Sequence, residues 1–177
     1  FGGSRTDYLE VPTALKQKLK DWTLEAWVSP TNVAEGAGIM VRRTVANLAG
    51  GAYAVNYVMG LETNGSGGLR VYAGFVKYNG TNCMVRGGLV PVGSEWTHVA
   101  ASYSSISRTL SLYTNGALLA ATNFSLVATP PMDGPGGETF LRMGEDFAGG
   151  IDEVRIWSRV RSAAEIRANM SHVVLGS

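Results

Sequence analysis

Phe147-Ala-Gly-Gly-Ile-Asp-Glu-Val-Arg-Ile-Trp157, followed at once by Ser-Arg-Val-Arg-Ser-Ala-Ala-Glu-Ile-Arg167, decides how the rest of the chain is read. Two glycines give a hinge. Period-2 alternation then places Ile151, Glu153, Arg155 and Trp157 on one side of an extended strand and Asp152, Val154 and Ile156 on the other. Ser162 stands where a helix cap is needed and Glu165 follows three residues later, so a capping box and a short helix over 163–170 are predicted. Hinge, two-faced strand and helix together make a closing element against which the earlier strands are placed.

Working outward, Trp22–Pro30 sets Trp22, Leu24, Ala26 and Val28 on one face and Thr23, Glu25 and Trp27 on the other. Large apolar groups on both faces predict an internal strand. Asp7–Val11 alternates and stops at Pro12, which predicts an edge strand. Further strands are read at Gly38–Arg43, Tyr53–Met59, Leu69–Phe75, Asn82–Arg86, Trp96–Tyr103, Thr109–Thr114, Ala117–Thr122 and Glu138–Met143. Hairpin signals join them at Asn64–Gly68, Asn79-Gly80 and Asn115-Gly116; Asn-Gly favours a type I′ turn because both central residues need positive φ. Ala14–Lys20 reads as a turn or helical loop, Val45–Gly51 as a small-residue loop, Gly87–Gly93 as a turn-rich link and Thr129–Gly137 as an exposed loop. Strands recurring about every 8 to 12 residues predict an antiparallel sandwich.

The 177 residues fit one domain, 1–177, large enough to bury a core without disulfides. A hydrophobic content of 45% with 23 glycines describes a globular, turn-rich chain. The net charge of +1 offers no basic excess to displace counterions, which argues against a nucleic-acid partner; the Lys16–Lys20 cluster reads as a solvated turn. Cys83 is the single cysteine, so no internal disulfide or thiolate metal cluster forms, and it reads as a small buried residue. No apolar run approaches about 18 residues, so no membrane insertion is expected. The chain opens at Phe1 in what reads as a strand, and the expectation is a module of a longer protein, with any signal peptide outside these residues.

Three groups of segments carry a resemblance: Asp7-Tyr-Leu-Glu-Val11 with Trp22-Thr-Leu-Glu-Ala-Trp-Val28, then Trp96-Thr-His-Val-Ala100 with Thr109–Gly116, and last Phe147–Trp157 with Ser162-Ala-Ala-Glu-Ile166. In order and spacing the chain resembles the concanavalin A-like lectin/glucanase superfamily, and within it the laminin G-like branch of secreted multidomain proteins. The resemblance implies an all-β, antiparallel jelly-roll sandwich of two curved sheets with a short C-terminal helix, its first and last strands paired side by side. It also implies an extracellular or cell-surface location and neighbouring domains in the same polypeptide.

The same superfamily includes retaining glucanases, whose chemistry needs two carboxylates about 5 Å apart on one sheet face. None of the nine glutamates is followed two positions later by aspartate. Glu145-Asp146 and Asp152-Glu153 are adjacent and would face opposite ways in a flat strand, so no catalytic residue is assigned. His98 and His172, the only histidines, lie far apart in sequence and give no base for a zinc or Ser-His-Asp site; His98 reads as a structural hydrogen-bonding residue. No glycine run joins a strand to a helix, which argues against nucleotide binding.

The resemblance implies one structural calcium ion, for which Asp152 and Asp7 are the candidate ligands. Glycan binding needs an aromatic platform flanked by planar polar groups, and the densest such mixture is Tyr53, Asn56, Tyr57, Arg70, Tyr72, Tyr78 and Asn82, with Phe75, Lys77 and Asn79 among them. Alternation assigns half of those aromatics to the core. Trp22, Trp27, Trp96 and Trp157 read as packing residues. Asn64, Asn79, Asn123 and Asn169 each head a glycosylation acceptor pattern. The expected function is a non-catalytic, lectin-like module that brings a larger secreted protein to a glycan or polysaccharide; the alternative is a protein-binding adhesion or scaffold domain.

Overall fold

A computed structural model describes residues 1–12, 18–32, 37–44, 54–124, 128–132 and 139–172. Its strands are β1 (Leu9–Pro12), β2 (Trp22–Pro30), β3 (Ala37–Thr44), β4 (Ala54–Thr63), β5 (Leu69–Val76) and β6 (Asn82–Val90). They continue with β7 (Thr97–Ser104), β8 (Thr109–Thr114), β9 (Ala117–Asn123), β10 (Thr139–Met143) and β11 (Gly149–Trp157), before helix α1 (Ala163–Asn169). The strands form a six-stranded sheet, β1-β10-β3-β4-β5-β6, and a five-stranded sheet, β11-β2-β7-β8-β9, every ladder antiparallel. This is the all-β, jelly-roll sandwich with a C-terminal helix that the alternation and the resemblance led us to expect. Tyr53, the Val45–Gly51 loop and most of Ala14–Lys20 and Thr129–Gly137 lie outside the described residues.

β2 occupies an interior position between β11 and β7, as its two apolar faces require. Trp22, Leu24, Ala26 and Val28 are fully buried between the sheets. Around Trp22 the rings of Tyr57 and Tyr103 stand 6.2 and 6.0 Å away, and Phe75 meets Tyr103 edge-on at 4.9 Å, separations at which tilted aromatic pairs add to plain area burial. Asn115 and Gly116 have φ of 47° and 72°, the two positive values of a type I′ turn. The Ser162–Glu165 capping box forms as predicted, the serine hydroxyl accepting from Glu165 N and the glutamate carboxylate accepting from Ser162 N.

Four expectations are corrected. β1 is the edge strand predicted, but it pairs with β10 and not with the last strand. What meets the last strand is the segment before β1: Gly149 N donates to Phe1 O, Phe1 N to Gly149 O and Gly3 N to Phe147 O, each at 3.0 Å. β6 runs on through Gly87 to Val90 where a turn-rich link was read, because the ladder to β5 slips between Arg70 and Val71 and Gly88 takes a φ of 69°. Trp96 precedes β7 and is 48% exposed, so it is no packing residue. In β11 the ladder to β2 slips between Asp152 and Arg155, and Glu153 has a φ of 48°. The predicted division of faces therefore fails. Ile151 pairs with Val28 and Ile156 with Leu24, and both pack on the core although five residues separate them.

Candidate functional site

The outer face of the β4–β5–β6 region gathers part of the predicted glycan cluster. Leu69, Val71, Ala73 and Phe75 point into the core, which turns Arg70 and Tyr72 outward by alternation. Glu62 lies opposite Arg70, and Arg86 opposite Tyr72. Glu62 Oε1 accepts from Arg70 Nε at 2.7 Å and from Arg86 Nε at 2.9 Å, so one carboxylate orients two guanidinium planes around the tyrosine. The Tyr72 ring lies across Gly60, where a Cβ would come within 2.6 Å of its Cζ and hydroxyl. Only glycine leaves room there for the phenol end of the ring, since the same Cβ would also come within 2.6 Å of Ala37 O. Asn82 is exposed further along β6, beyond Met84, and Tyr78 is exposed at the β5–β6 turn.

Asn56 and Tyr57 are not part of this face. The β4–β5 ladder slips between Val55 and Val58, and the extra residue of that bulge leaves both side chains fully buried. Asn56 clamps the main chain of Leu19, its Oδ1 accepting from Leu19 N and its Nδ2 donating to Leu19 O. Phe75 is likewise core, Tyr53 lies outside the described residues, and Glu62 and Arg86 were missed. Glu62 lies 8 positions before Arg70 across the β4–β5 turn and Arg86 lies in β6, and both become its neighbours through strand register.

On the opposite side of the molecule, α1 covers the outer face of the five-stranded sheet through Ile166 and Ala163, which pack on Ala100 and Tyr113. Beneath the helix start lies a buried ionic group. Glu25 Oε1 accepts from Arg161 Nη1 at 2.6 Å, and His98 Nε2 stands 3.5 Å from Glu25 Oε2, with all three side chains at most 2% exposed. Burial alone would raise the Glu25 pKa, but His98 and the Arg161 charge outweigh it and hold the carboxyl below its ordinary value. His98 is buried beside Glu25, but neither ring nitrogen makes a hydrogen bond among the described residues, so the hydrogen-bonding role read from its strand position is not what the structure shows. Thr23 Oγ1 donates to Arg159 O and accepts from Arg161 N, and Trp27 Nε1 donates to Met170 O, so both ends of the helical segment are tied to β2.

The Ser162 backbone N–H, followed by Arg159, holds the Glu165 carboxyl down at about 2. A carboxylate with a depressed pKa supports the fold fully above its ordinary value and loses that support as the pH falls towards 2. Ser162→Ala removes the hydroxyl half of the cap, and a loss of about 1 kcal/mol in urea unfolding is expected.

Of the two expected calcium ligands, Asp7 precedes β1 and Asp152 lies in β11. Asp152 is exposed on β11 and its Oδ1 accepts from Glu153 N at 2.8 Å, while Asp7 lies beside Gly2. Among the described residues no three His, Cys, Asp or Glu side chains are grouped as a metal would require, and calcium takes about six to eight oxygens. No helix of the described residues is long and apolar enough to cross a membrane.

A laminin G-like family model, described as belonging to the concanavalin A-like lectin/glucanases superfamily, matches residues 1–167. No curated protein sequence matches the chain. Among solved structures it is similar to the native heptameric SAP-like pentraxin of Limulus polyphemus, with a TM-score of 0.65 and 13% identity over 94% of this chain and 78% of that one. It is also similar to the CBM40 of the Ruminococcus gnavus IT-sialidase bound to α2,6 sialyllactose, with a TM-score of 0.66 and 15% identity over 88% of this chain and 85% of that one. A third is domain 4 of a GH43 extracellular arabinanase from Geobacillus stearothermophilus, in complex with arabinotriose, with a TM-score of 0.56 and 17% identity over 84% of this chain and 66% of that one.

Proposed function

The chain belongs to the concanavalin A-like lectin/glucanases superfamily, and on that footing we propose that it is a non-catalytic, extracellular glycan-binding module that directs a larger protein to a polysaccharide. The observation carrying this reading is Tyr72, its phenol end against Gly60 and flanked by Arg70 and Arg86 on Glu62. An aromatic face stacks against the C–H face of a sugar ring, and guanidinium groups donate in pairs to its hydroxyls or carboxylate. Two guanidinium groups against one carboxylate leave an excess positive charge, so an oligosaccharide bearing carboxylates binds here ahead of a neutral one. The solved relatives described as carrying sialyllactose and arabinotriose support sugar binding as the class of activity.

Affinity electrophoresis on acidic and neutral polysaccharides tests this. Tyr72→Ala is expected to weaken acidic-glycan binding about 10-fold, the size of one aromatic stack, with an unchanged melting temperature. Retained binding in that variant would remove the site. A second reading, a protein-binding adhesion or scaffold domain, is favoured by Leu89, Leu118 and Leu119, exposed by 69, 56 and 43% where β6 and β9 approach one another.

A further inference from the structure

The bulge in β11 builds a second concavity on the other sheet. A pocket of about 350 Å³ opens there, lined by Trp27, Trp96, Asp152, Glu153, Arg155 and His172 among its walls, a volume within the range of small-ligand sites. In a flat strand Asp152 and Glu153 would face opposite sides. The left-handed φ of Glu153 removes that alternation, and both residues line the same pocket. Asp152 Oδ1 accepts the Glu153 N–H and so stabilises the bend, but a non-glycine residue in this conformation is still strained, and such strain gathers at functional sites.

Trp96 supplies the other wall. Its ring lies against Gly150, where a Cβ would come 2.6 Å from the ring, and 48% of its surface stays open. Arg155 is held rigidly at the back, with a side chain 9% exposed. Its Nη2 donates to Glu153 Oε2 at 2.7 Å and to His172 O, and its Nη1 donates to Asn169 O.

We infer that this pocket is a binding site for an uncharged pyranose, one ring face stacked on Trp96 and its hydroxyls donating to the Asp152 and Glu153 carboxylates. Two carboxylates against one guanidinium repel an anionic sugar, the reverse of the Tyr72 face. The same excess negative charge would also suit an ammonium ligand, so N-methylated lysine is the competing probe. The inference rests on the chain being a glycan binder in class, and it is independent of which surface Tyr72 serves.

The test titrates lactose, cellobiose and maltose into the wild-type chain and into Trp96→Ala, Gly150→Ala and Tyr72→Ala, read by tryptophan fluorescence and calorimetry. Gly150→Ala leaves the strand intact, since the contacts its Cβ would meet are atoms of the Trp96 ring, and it displaces that ring alone. At least one disaccharide should bind the wild type, with a loss of 10-fold or more in Trp96→Ala, a clear weakening in Gly150→Ala and no change in Tyr72→Ala. Neutral-sugar binding that survives Trp96→Ala, that depends on Tyr72, or that is absent from the wild type overturns the assignment. So does quenching of Trp96 by N-methylated lysine without any by the sugars. Acidic-glycan binding lost in Tyr72→Ala, with no disaccharide binding to the wild type, would leave the proposed function standing while removing this pocket from it.

Discussion

Arg161→Met is expected to lower the unfolding free energy by about 3–5 kcal/mol, the loss seen when one partner of a buried ion pair is removed. Glu25 is fully buried and Arg161 only 2% exposed, so no water replaces the lost guanidinium. The same residue also ties Thr23 to the segment before α1 and donates through Nη2 to Glu165 O. Acid titration provides a second readout. In the wild type the depressed Glu25 pKa means that its contribution is complete above the ordinary carboxylate value and is lost as the pH falls through the folded value. In the variant the buried carboxylate has lost its main counter-charge, its pKa rises, and protonation relieves it. The gap between the two proteins should therefore narrow as the pH drops from 7 to 4 in urea unfolding. The double variant Glu25→Leu/Arg161→Met should recover most of the loss, because an apolar pair of similar volume replaces a buried ion pair at little cost. A gap that does not change with pH would mean that the loss comes from packing.

Gly149→Ala is expected to cost about 3 kcal/mol, whereas Gly150→Ala one residue later is expected to leave the melting temperature nearly unchanged. At Gly149 the backbone has a φ of 130° and a Cβ would stand 2.2 Å from Ser29 O and 2.9 Å from Pro30 Cα, backbone atoms that cannot swing aside. Both the strain and the overpacking act there. Gly149 also exchanges two hydrogen bonds with Phe1, so the residues before β1 should loosen with it. Paired thermal melts of the two variants check the contrast; a melting temperature unchanged in Gly149→Ala as well would mean that the hinge tolerates a side chain and that the strand start is held elsewhere.

What could be read in the chain was whatever depends on neighbours a few residues away. Trp22, Leu24, Ala26 and Val28 alternate, and they form one buried face. Asn115-Gly116 demands positive φ twice, and the turn has it. Ser162 and Glu165 stand three apart, and the cap closes. The candidate site was legible only in part, because a face is built by register across strands. Arg70 and Tyr72 alternate with core residues along β5, but Glu62 and Arg86 join them through ladders that no local pattern encodes.

The bulges mark the limit most sharply. Period-2 reading is valid only while each residue pairs in step, and a single extra residue inverts every face beyond it. That happens at Asn56-Tyr57, which are buried where they were read as a ligand surface, and at Asp152–Arg155, where Ile151–Trp157 was read as an uninterrupted strand. The amino-acid order by itself determined the sandwich, its hub strand, its hairpins and its capped helix, since these follow from side-chain alternation and turn chemistry. The tertiary structure alone decided which strand the first one joins, that Trp96 is open, and that two adjacent carboxylates share one pocket. Those outcomes depend on how distant strands slide past one another to fill the core.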